Sequence, residues 1–479
     1  MRPHHRTNLP SRVRRLSAGL LALCVPPGGI AAGPALPARQ SMAIVEVTVV
    51  DPAQARSPAP RTVLIEDGRI VAVAELRDAV IPAGAQRVDG RGRYLIPRLV
   101  DLHVHLFNLV SKRPPNDWTF PLFVANGVTA VREMSTDAAG LTQVRRWNEA
   151  LERGEHVAPR IVAAGIAVGG ETPAAAASAV EAAADAGADF AKVFSELPQA
   201  QWQAALAAAR RRGLPLIGHV PAQVALQAAA GAGQRDNEHL MQAMEACSAL
   251  EAEFLTHRAA GGEVLSPARL DADAVQAAQY FDTRRCRDVA TALAAAGQVQ
   301  VPTLVLPHSE AQGSAAALST DPRWIYLRAD ERLRWQRAQA GLTAEDHHLF
   351  RERWSMLRRI APIFHRQGVV LMAGTDTPMP GVYPGYSLHE ELALLVAAGL
   401  SPREALRAAT VQPARFLGID ADSGTIAAGR RADLILLDAD PTRDIRNTRR
   451  IHAVVLDGRL LTREALDELL TDAARAQSR

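Results

Sequence analysis

The sequence predicts an α/β protein: a (β/α)8 TIM barrel joined to a small β-sandwich domain that both ends of the chain build. Between residues 98 and 418, eight short apolar segments alternate with alanine-rich helical segments, which is the pattern of parallel strands in a barrel. Residues 41–97 and 419–462 instead contain short β segments, and each stretch includes an Asp-Gly hairpin signal. Strand-rich ends on both sides of a barrel predict one shared β domain.

The composition indicates a large folded enzyme rather than a nucleic-acid-binding protein. The chain has 479 residues, 48% of them hydrophobic, which is enough for a sizeable core and too long for one domain of ordinary size. Its formal net charge is only +3, and aromatic residues make up 4%. A nucleic-acid interface needs a concentrated basic surface with aromatic partners, so we expect no nucleic-acid partner.

Residues 1–32 predict a bacterial export signal. Several arginines come first, Leu16–Val25 is apolar, and small residues follow. We therefore expect a signal peptide over 1–32 and a periplasmic or secreted protein. The apolar run is too short for a stable membrane span. A lipid anchor at Cys24 and a cytoplasmic enzyme with a basic tail are the alternatives.

Six potential metal ligands each follow an apolar, strand-like segment. Side chains alternate along a strand, so the two histidines of a His-Val-His run lie on the same face. In a barrel the C-terminal ends of all strands meet at one face, which is where active sites lie. The six occur on predicted strands one, four, five, six and eight, and they are His103, His105, Lys192, His219, His239 and Asp376.

Lys192 is unusual in type and in place. Only two of the 54 basic residues are lysines, and Lys192 lies in Asp189–Phe194, an apolar segment in which a bare ammonium group is costly. A lysine amine can lose its proton and react with carbon dioxide to give a carbamate, an anionic oxygen ligand, whereas a guanidinium stays protonated. The sequence therefore predicts a carbamylated Lys192 that binds metal.

This ordered set resembles the ligand pattern of the metal-dependent amidohydrolase superfamily, over about Ala43 to Leu461. Residues 374–378, 387–392 and 409–414 are similar to its imidazolonepropionase-like and prolidase-like branch. The resemblance implies two divalent ions bridged by carbamylated Lys192 and a hydroxide. One ion would be held by His103, His105 and Asp376, and the other by His219 and His239. Mixed nitrogen and oxygen donors fit zinc best.

The same resemblance implies hydrolysis of a carbon-nitrogen, amide-type bond in a small molecule: an amide, a dipeptide or a cyclic amide. The bridging hydroxide attacks the carbonyl and Asp376 passes its proton to the leaving nitrogen, so Asp376 and Lys192 are the predicted catalytic residues. A mononuclear deaminase is one alternative, although that pattern needs a glutamate where Ala222 stands. An inactive barrel that acts as a binding module is the other.

Two more side chains are candidates for substrate binding. His308 follows the predicted seventh strand, Val299–Leu306, where its ring would contact substrate or simply meet solvent. Arg132 ends the predicted second strand and would bind a substrate carboxylate or form a structural ion pair.

His389 lies at the start of a predicted helix that runs to Ala398. Ser387 and Glu390 stand three residues apart around it, which is the spacing of a capping box. We therefore interpret this run as a helix start and not as a catalytic histidine.

The remaining features concern the periphery of the fold. Residues 310–359 are long for a barrel loop and predict a helical insertion that covers the barrel mouth as a lid, and 463–479 predict a C-terminal helix and tail. Cys247 and Cys286 remain after signal removal, and their pairing is left open. The superfamily resemblance also allows a homo-oligomer.

Overall fold

The structure is a computed structural model, which describes residues 35–54, 59–108, 113–260 and 267–478. The signal peptide predicted over 1–32, with Cys24, lies outside these ranges. Within them, no helix combines the length and the apolar character that crossing a membrane requires.

The strands of the described ranges are short and rich in valine, isoleucine and leucine, residues that favour a pleated, buried surface. They are β1 Met42–Val49, β2 Arg61–Glu66, β3 Arg69–Ala74, β4 Gln86–Asp89, β5 Tyr94–Pro97, β6 Leu99–Val104, β7 Val128–Thr136, β8 Arg160–Ala167, β9 Phe190–Val193, β10 Leu216–Gly218, β11 Asp236–Glu238, β12 Val299–Val301, β13 Leu434–Leu437, β14 Ile451–Leu456 and β15 Arg459–Thr462.

About half of the α-helices of the described ranges follow a strand, as alternating β and α segments predict. They are α1 Phe120–Ala125, α2 Ala138–Arg153, α3 Pro173–Asp185, α4 Gln199–Arg212, α5 Leu226–Gly231, α6 Ala243–Ala246, α7 Glu251–Ala260, α8 Pro267–Gln279, α9 Thr283–Ala296, α10 Val305–Gln312, α11 Ala315–Thr320, α12 Ala329–Ala340, α13 Ala344–Arg366, α14 Tyr386–Ala397, α15 Pro402–Ala408, α16 Val411–Phe416 and α17 Arg463–Ala476.

The central parallel sheet curls around on itself. Strands β6 to β10 pair in chain order, and β11 pairs in parallel with β12. The Arg235 amide donates to the Leu216 carbonyl over 3.1 Å, which joins the two sets. Residues 369–376, predicted as the eighth strand, form a parallel bridge to Gln300 through Leu371, and the next residue, Thr377, forms one to Val104. The predicted mixed α/β fold with parallel strands is therefore confirmed, and we call this layer the curled sheet.

The helices α2, α3 and α4 belong to the same hydrophobic core as the strands they follow, through residues such as Leu151, Val180 and Trp202. Their ends show local signals. The Asp137 carboxylate accepts a hydrogen bond from the Gly140 amide at the start of α2, and Gly154 ends that helix in the left-handed conformation. These two caps determine where α2 begins and where it ends.

The two ends of the chain share a second sheet of eight strands, in the order β15-β14-β13-β5-β1-β2-β3, with β4 beside β1. Strand β1 changes partners around Glu46, whose φ is 57°: Met42–Val45 pairs with β4, and Thr48–Val49 pairs with β5. This sheet has its own core, which includes Ile44 and Leu434. Both ends therefore meet in one sheet, and the predicted two-layered sandwich is not confirmed.

The predicted seventh strand is shorter than expected. Strand β12 ends at Val301 instead of Leu306, because Pro302 has no amide to donate and Thr303 has a φ of 45°. The chain then enters α10, so His308 lies on a helix. Residues 310–359 contain the end of α10, then α11, α12 and most of α13, and their role as a lid stays a prediction.

Two local predictions are settled by side-chain contacts. A disulfide joins Cys247, just after α6, to Cys286 in α9. The capping box at His389 is wrong, because α14 begins at Tyr386 and Ser387 lies inside its first turn. The buried His389 ring instead contacts the Thr448 hydroxyl at 2.9 Å and donates to the Asn126 carbonyl at 3.0 Å, so it connects α14 to its neighbours.

Candidate metal centre

The end of β6 brings His103 and His105 to the same carboxylate. Asp376 Oδ1 lies 3.2 Å from Nε2 of His103 and 3.0 Å from Nε2 of His105. The backbone holds this arrangement, because the Asp376 amide donates to the His103 carbonyl over 2.8 Å. Asp376 has a φ of 66°, an unusual conformation for an aspartate that turns its carboxylate toward the two rings.

His219 and His239 complete the cluster from the ends of β10 and β11. The ring centroids of His103 and His239 are 4.6 Å apart, and those of His219 and His239 are 5.0 Å apart. Ligand atoms of His103, His239 and Asp376 all lie within 4.8 Å of one another. Buried imidazole and carboxylate donors this close are suited to a divalent transition-metal ion, so a possible metal site exists here.

Each of three histidine rings is fixed at its Nδ1 atom by a partner that the sequence did not reveal. His103 contacts Glu238 at 2.6 Å, His219 contacts Ser195 at 3.0 Å and His239 contacts Thr303 at 2.7 Å, each through Nδ1. An Nδ1 atom engaged in this way leaves Nε2 for a metal, which is the usual role of outer partners around metal-binding histidines.

Lys192 lies among these groups with its amine shut off from solvent. The residue is 0% exposed, and Nζ has no hydrogen-bond partner among the described residues. Burial lowers the pKa of the amine. Gly218, with a φ of 115°, makes room for the Lys192 stem, since a Cβ there would meet Lys192 Cδ at 2.6 Å. A buried amine without a partner is costly, which indicates that a further group belongs at Nζ.

The electrostatics of Asp376 favour its ionised form. Burial alone would raise its pKa, but the close polar contacts with the His103 and His105 rings and the nearby His239 ring hold the pKa well below the ordinary aspartate value. The carboxylate is therefore available as a metal ligand and as a proton acceptor.

Two buried carboxyl groups beside the ligands were not predicted. Asp101 accepts hydrogen bonds from the Thr375 hydroxyl at 2.7 Å and from the His103 amide at 3.1 Å, and burial raises its pKa to about 7. Burial likewise raises the pKa of Glu133 to about 7. The alternation of Asp101 with the two histidines along β6 was a usable signal, because residues two apart share a face.

Of the two roles predicted for Arg132, the structure supports the structural ion pair. Its guanidinium is fully buried and donates to Asp236 at 2.7 Å, to Glu238 at 2.6 Å and to the Leu102 carbonyl at 2.6 Å. These bonds hold all three guanidinium nitrogens inside the curled sheet, so a substrate carboxylate has no access to them.

The structure does not bring His308 to the cluster. Its ring lies edge-on to Trp354, with centroids 5.0 Å apart, and lines a cavity of about 450 Å3 together with His389 and Arg449. None of the six metal-ligand candidates lines that cavity.

Two other cavities do reach the cluster. The His239 cavity, of about 270 Å3, is lined by His219 and His239 together with Glu310 and Arg353 of the insertion. The His105 cavity, of about 230 Å3, is lined by His105 and by residues of α12. The cluster therefore opens on two sides, and the helical insertion contributes to both.

The amino-acid sequence is similar to those of several imidazolonepropionases. The chain is 26% identical to the imidazolonepropionase of Symbiobacterium thermophilum over an alignment of 386 residues. The alignment covers 78% of this chain and 82% of that protein. Other imidazolonepropionases match over about 82 residues, and the chain spans 20% of their length.

Solved structures agree with the fold. A bottromycin amidohydrolase has a TM-score of 0.68 and 25% identity, over 91% of this chain and 90% of that one. A Xaa-Pro dipeptidase has a TM-score of 0.62 and 17% identity, over 88% of this chain and 100% of that one. The model of the amidohydrolase family matches residues 94–461, which include every metal-ligand candidate. The chain thus belongs to the amidohydrolase family.

Proposed function

We propose that this protein is a metal-dependent hydrolase that cleaves a carbon-nitrogen, amide-type bond in a small molecule. The observation that carries the proposal is the cluster of four histidine rings and Asp376 around the buried amine of Lys192, which has no hydrogen-bond partner in the described part of the chain. In this proposal His103, His105 and Asp376 hold one divalent ion, and His219 and His239 hold a second.

The donor set supports this assignment. Imidazole nitrogens and a carboxylate are ligands that zinc prefers, so we propose zinc as the metal. When bound at these residues, such ions would lower the pKa of a bound water and would polarise the substrate carbonyl. Asp376 accepts the proton that this water gives up, and delivers it to the leaving nitrogen as the carbon-nitrogen bond breaks.

Carbamylation of Lys192 accounts for the missing partner at Nζ. The neutral amine adds to carbon dioxide and releases one proton, which converts a buried base into an anionic oxygen donor. This donor would lie between the two groups of histidines. Burial of the amine favours its neutral form, which is the form that reacts.

The relatives indicate the substrate class. Proteins named imidazolonepropionase and Xaa-Pro dipeptidase share this fold, so cyclic amides and dipeptides are the first compounds to examine. A deaminase is less well supported, because the position where that pattern needs a glutamate holds the buried Ala222.

Export remains part of the proposal. The Cys247–Cys286 disulfide supports it, because disulfides persist in oxidising compartments and are rare in the cytosol. The predicted signal over 1–32 is consistent with a periplasmic or secreted protein.

The deciding experiment measures metal per chain and hydrolysis together. Protein prepared with zinc and bicarbonate is assayed against dipeptides, N-acyl amino acids and cyclic amides, as wild type, Lys192→Ala and Lys192→Arg. The exchange of the other lysine, Lys112→Arg, is the matched control. We expect two ions per chain in the wild type and in the control, and loss of metal and activity in both Lys192 variants.

Other outcomes would contradict parts of this proposal. One ion that survives Lys192→Ala indicates a mononuclear enzyme such as a deaminase. Wild-type protein that binds no metal indicates a binding module. A Lys192→Arg variant with two ions and full activity excludes the carbamate.

A further inference from the structure

We infer that Arg334, on helix α12 of the insertion, binds a carboxylate of the substrate and makes the enzyme selective for acids over their amides. This inference rests on the proposed function, because it names a group on the substrate of that reaction. It assigns to Arg334 the contact that the buried Arg132 cannot make.

The first observation is the place of Arg334. Its side chain lines the His105 cavity, which also contains Pro378 and Met379, the residues that follow Asp376 closely in the chain. The cavity therefore holds a metal-ligand candidate and a guanidinium together. A substrate that reaches the metal centre through this cavity passes Arg334.

The second observation is how the guanidinium is held. Its Nε donates to Glu331 Oε2 at 2.7 Å, and Nη2 donates to the Pro378 carbonyl at 2.9 Å. Nη1 makes no hydrogen bond to any of the described residues, and the side chain is 32% exposed. Two bonds thus fix the orientation while one nitrogen stays available, which is the preorganised geometry that binds an anion well.

The third observation is the charge around Arg334. Glu331 is fully buried and also pairs with Arg113 at 2.6 Å, so this one carboxylate serves two guanidinium groups. Arg113 also contacts Asp330 at 3.4 Å, and Asp330 pairs with Arg328 at 3.0 Å, so these five side chains together carry one net positive charge. Phe107, Phe194 and Met379 form apolar parts of the cavity wall, and an apolar surrounding strengthens an ion pair.

The His239 cavity differs from the His105 cavity in the sign of its charge. The His239 cavity has three carboxylates in its wall, Glu196, Glu245 and Glu310, and one arginine, Arg353, which contacts Glu310 at 3.6 Å. The buried Arg258 pairs with both Glu245 and Asp273, at 2.8 and 3.2 Å, so these six side chains together carry two net negative charges. An anionic end of a substrate is therefore repelled from the His239 cavity and attracted to the His105 cavity. This asymmetry favours a substrate with its carboxylate beside Arg334.

The test compares each free acid of the panel, the dipeptides and N-acyl amino acids, with its C-terminal carboxamide. We expect the wild type to prefer the acid by about 10- to 100-fold in kcat/KM, the size of one hydrogen bond to a charged group. Arg334→Gln should bring that ratio close to one, mainly by raising KM for the acid. Arg334→Lys should restore part of the preference.

The design separates binding from folding and from the reaction itself. The matched control is Arg337→Gln, which removes an exposed arginine one turn along the same helix and should keep the wild-type ratio. A folding defect would lower kcat/KM for acid and amide alike. Equal cleavage of acid and amide by the wild type, a best substrate without a carboxylate, or a ratio unchanged in Arg334→Gln overturns the inference. Metal-loaded enzyme that hydrolyses nothing in the panel overturns the proposed function, and this inference with it.

Discussion

The Nδ1 atom of His103 lies 2.6 Å from Oε2 of Glu238, and Oε1 of the same carboxylate accepts a hydrogen bond from Arg132 at 2.6 Å. All three side chains are buried. Burial lowers the pKa of His103 to about 3, so the ring is neutral, which is the state that binds metals. Glu238 thereby fixes the tautomer with Nε2 facing Asp376, and Arg132 keeps the carboxylate in place.

Glu238→Gln should lower metal affinity by about 10- to 100-fold while the fold persists. The carboxamide has a single acceptor oxygen, which Arg132 also requires, so its NH2 group would face Nδ1 of His103 and the ring would lose the acceptor that orients it. The measurement is competition for zinc with a chelator. Asp236→Asn is the matched control: it also removes a carboxylate partner of Arg132, at 2.7 Å, but Asp236 makes no hydrogen bond to a histidine ring within the described ranges. Equal loss of zinc in the two variants would show that the charge near Arg132 matters and the orientation of His103 does not.

A second prediction concerns Thr303, whose hydroxyl lies 2.7 Å from Nδ1 of His239. Thr303→Val keeps the shape but removes the hydrogen bond, so we expect zinc affinity to fall by about tenfold, the lower end of the range for outer partners. Thr303→Ser keeps the hydroxyl and should keep the affinity. If valine and serine variants bind zinc equally well, the hydroxyl does not hold the His239 ring.

The clustering of the candidate residues follows from one geometric rule: parallel strands deliver their C-terminal ends to the same edge of a sheet. Their role as metal ligands stays a prediction. His219 and His239 could be named without any knowledge of side-chain contacts. Glu238 and Thr303 could not, since they lie 135 and 64 residues from the histidines they contact. Such contacts depend on strand register and rotamer.

The observed position of His308, on a helix, differs from the predicted position just past a strand, and the cause is local. The apolar run Val299–Leu306 is equally compatible with a strand and with a buried helix segment. In the structure the strand ends at Val301, and α10 begins at Val305 and carries His308 away from the cluster.

The third prediction is a pH effect at His389. Burial lowers the pKa of its ring from 6.5 to about 4, so between these values the unfolded chain takes up a proton that the folded chain does not. Folding stability is therefore retained above about pH 6.5 and lost as the pH falls toward 4. At about pH 4.5 the loss should be about 2–3 kcal/mol.

Urea unfolding at about pH 7 and about pH 4.5 checks this prediction. In His389→Gln, the fall in stability between the two conditions should be smaller than in the wild type. The exposed His348, changed to Gln, serves as the control and should keep the wild-type dependence. An identical fall in wild type and His389→Gln would contradict the assignment to this ring.

The fourth prediction concerns the disulfide. The bond closes a segment of 39 residues between Cys247 and Cys286, so its removal in the double variant Cys247→Ala/Cys286→Ala should lower the free energy of unfolding by about 2–4 kcal/mol. Thermal unfolding with and without reductant measures this. Reductant should destabilise the wild type and leave the double variant unchanged. Free thiols at these positions in protein purified without reductant would contradict the pairing.

The pairing of β5 with β13 has a consequence for how the protein is made. Strand β5 leads directly into β6, which carries His103, yet its antiparallel partner Leu434–Leu437 lies close to the end of the 479-residue chain. The buried Arg98 also meets its partner Asp433, at 2.8 Å, only at that late stage. During synthesis on the ribosome this edge of β5 therefore remains open until residues 434–437 have emerged, because a sheet closes only once its distant contacts exist. A segment translated more than three hundred residues later thus completes the support of the first strand that carries metal-ligand candidates.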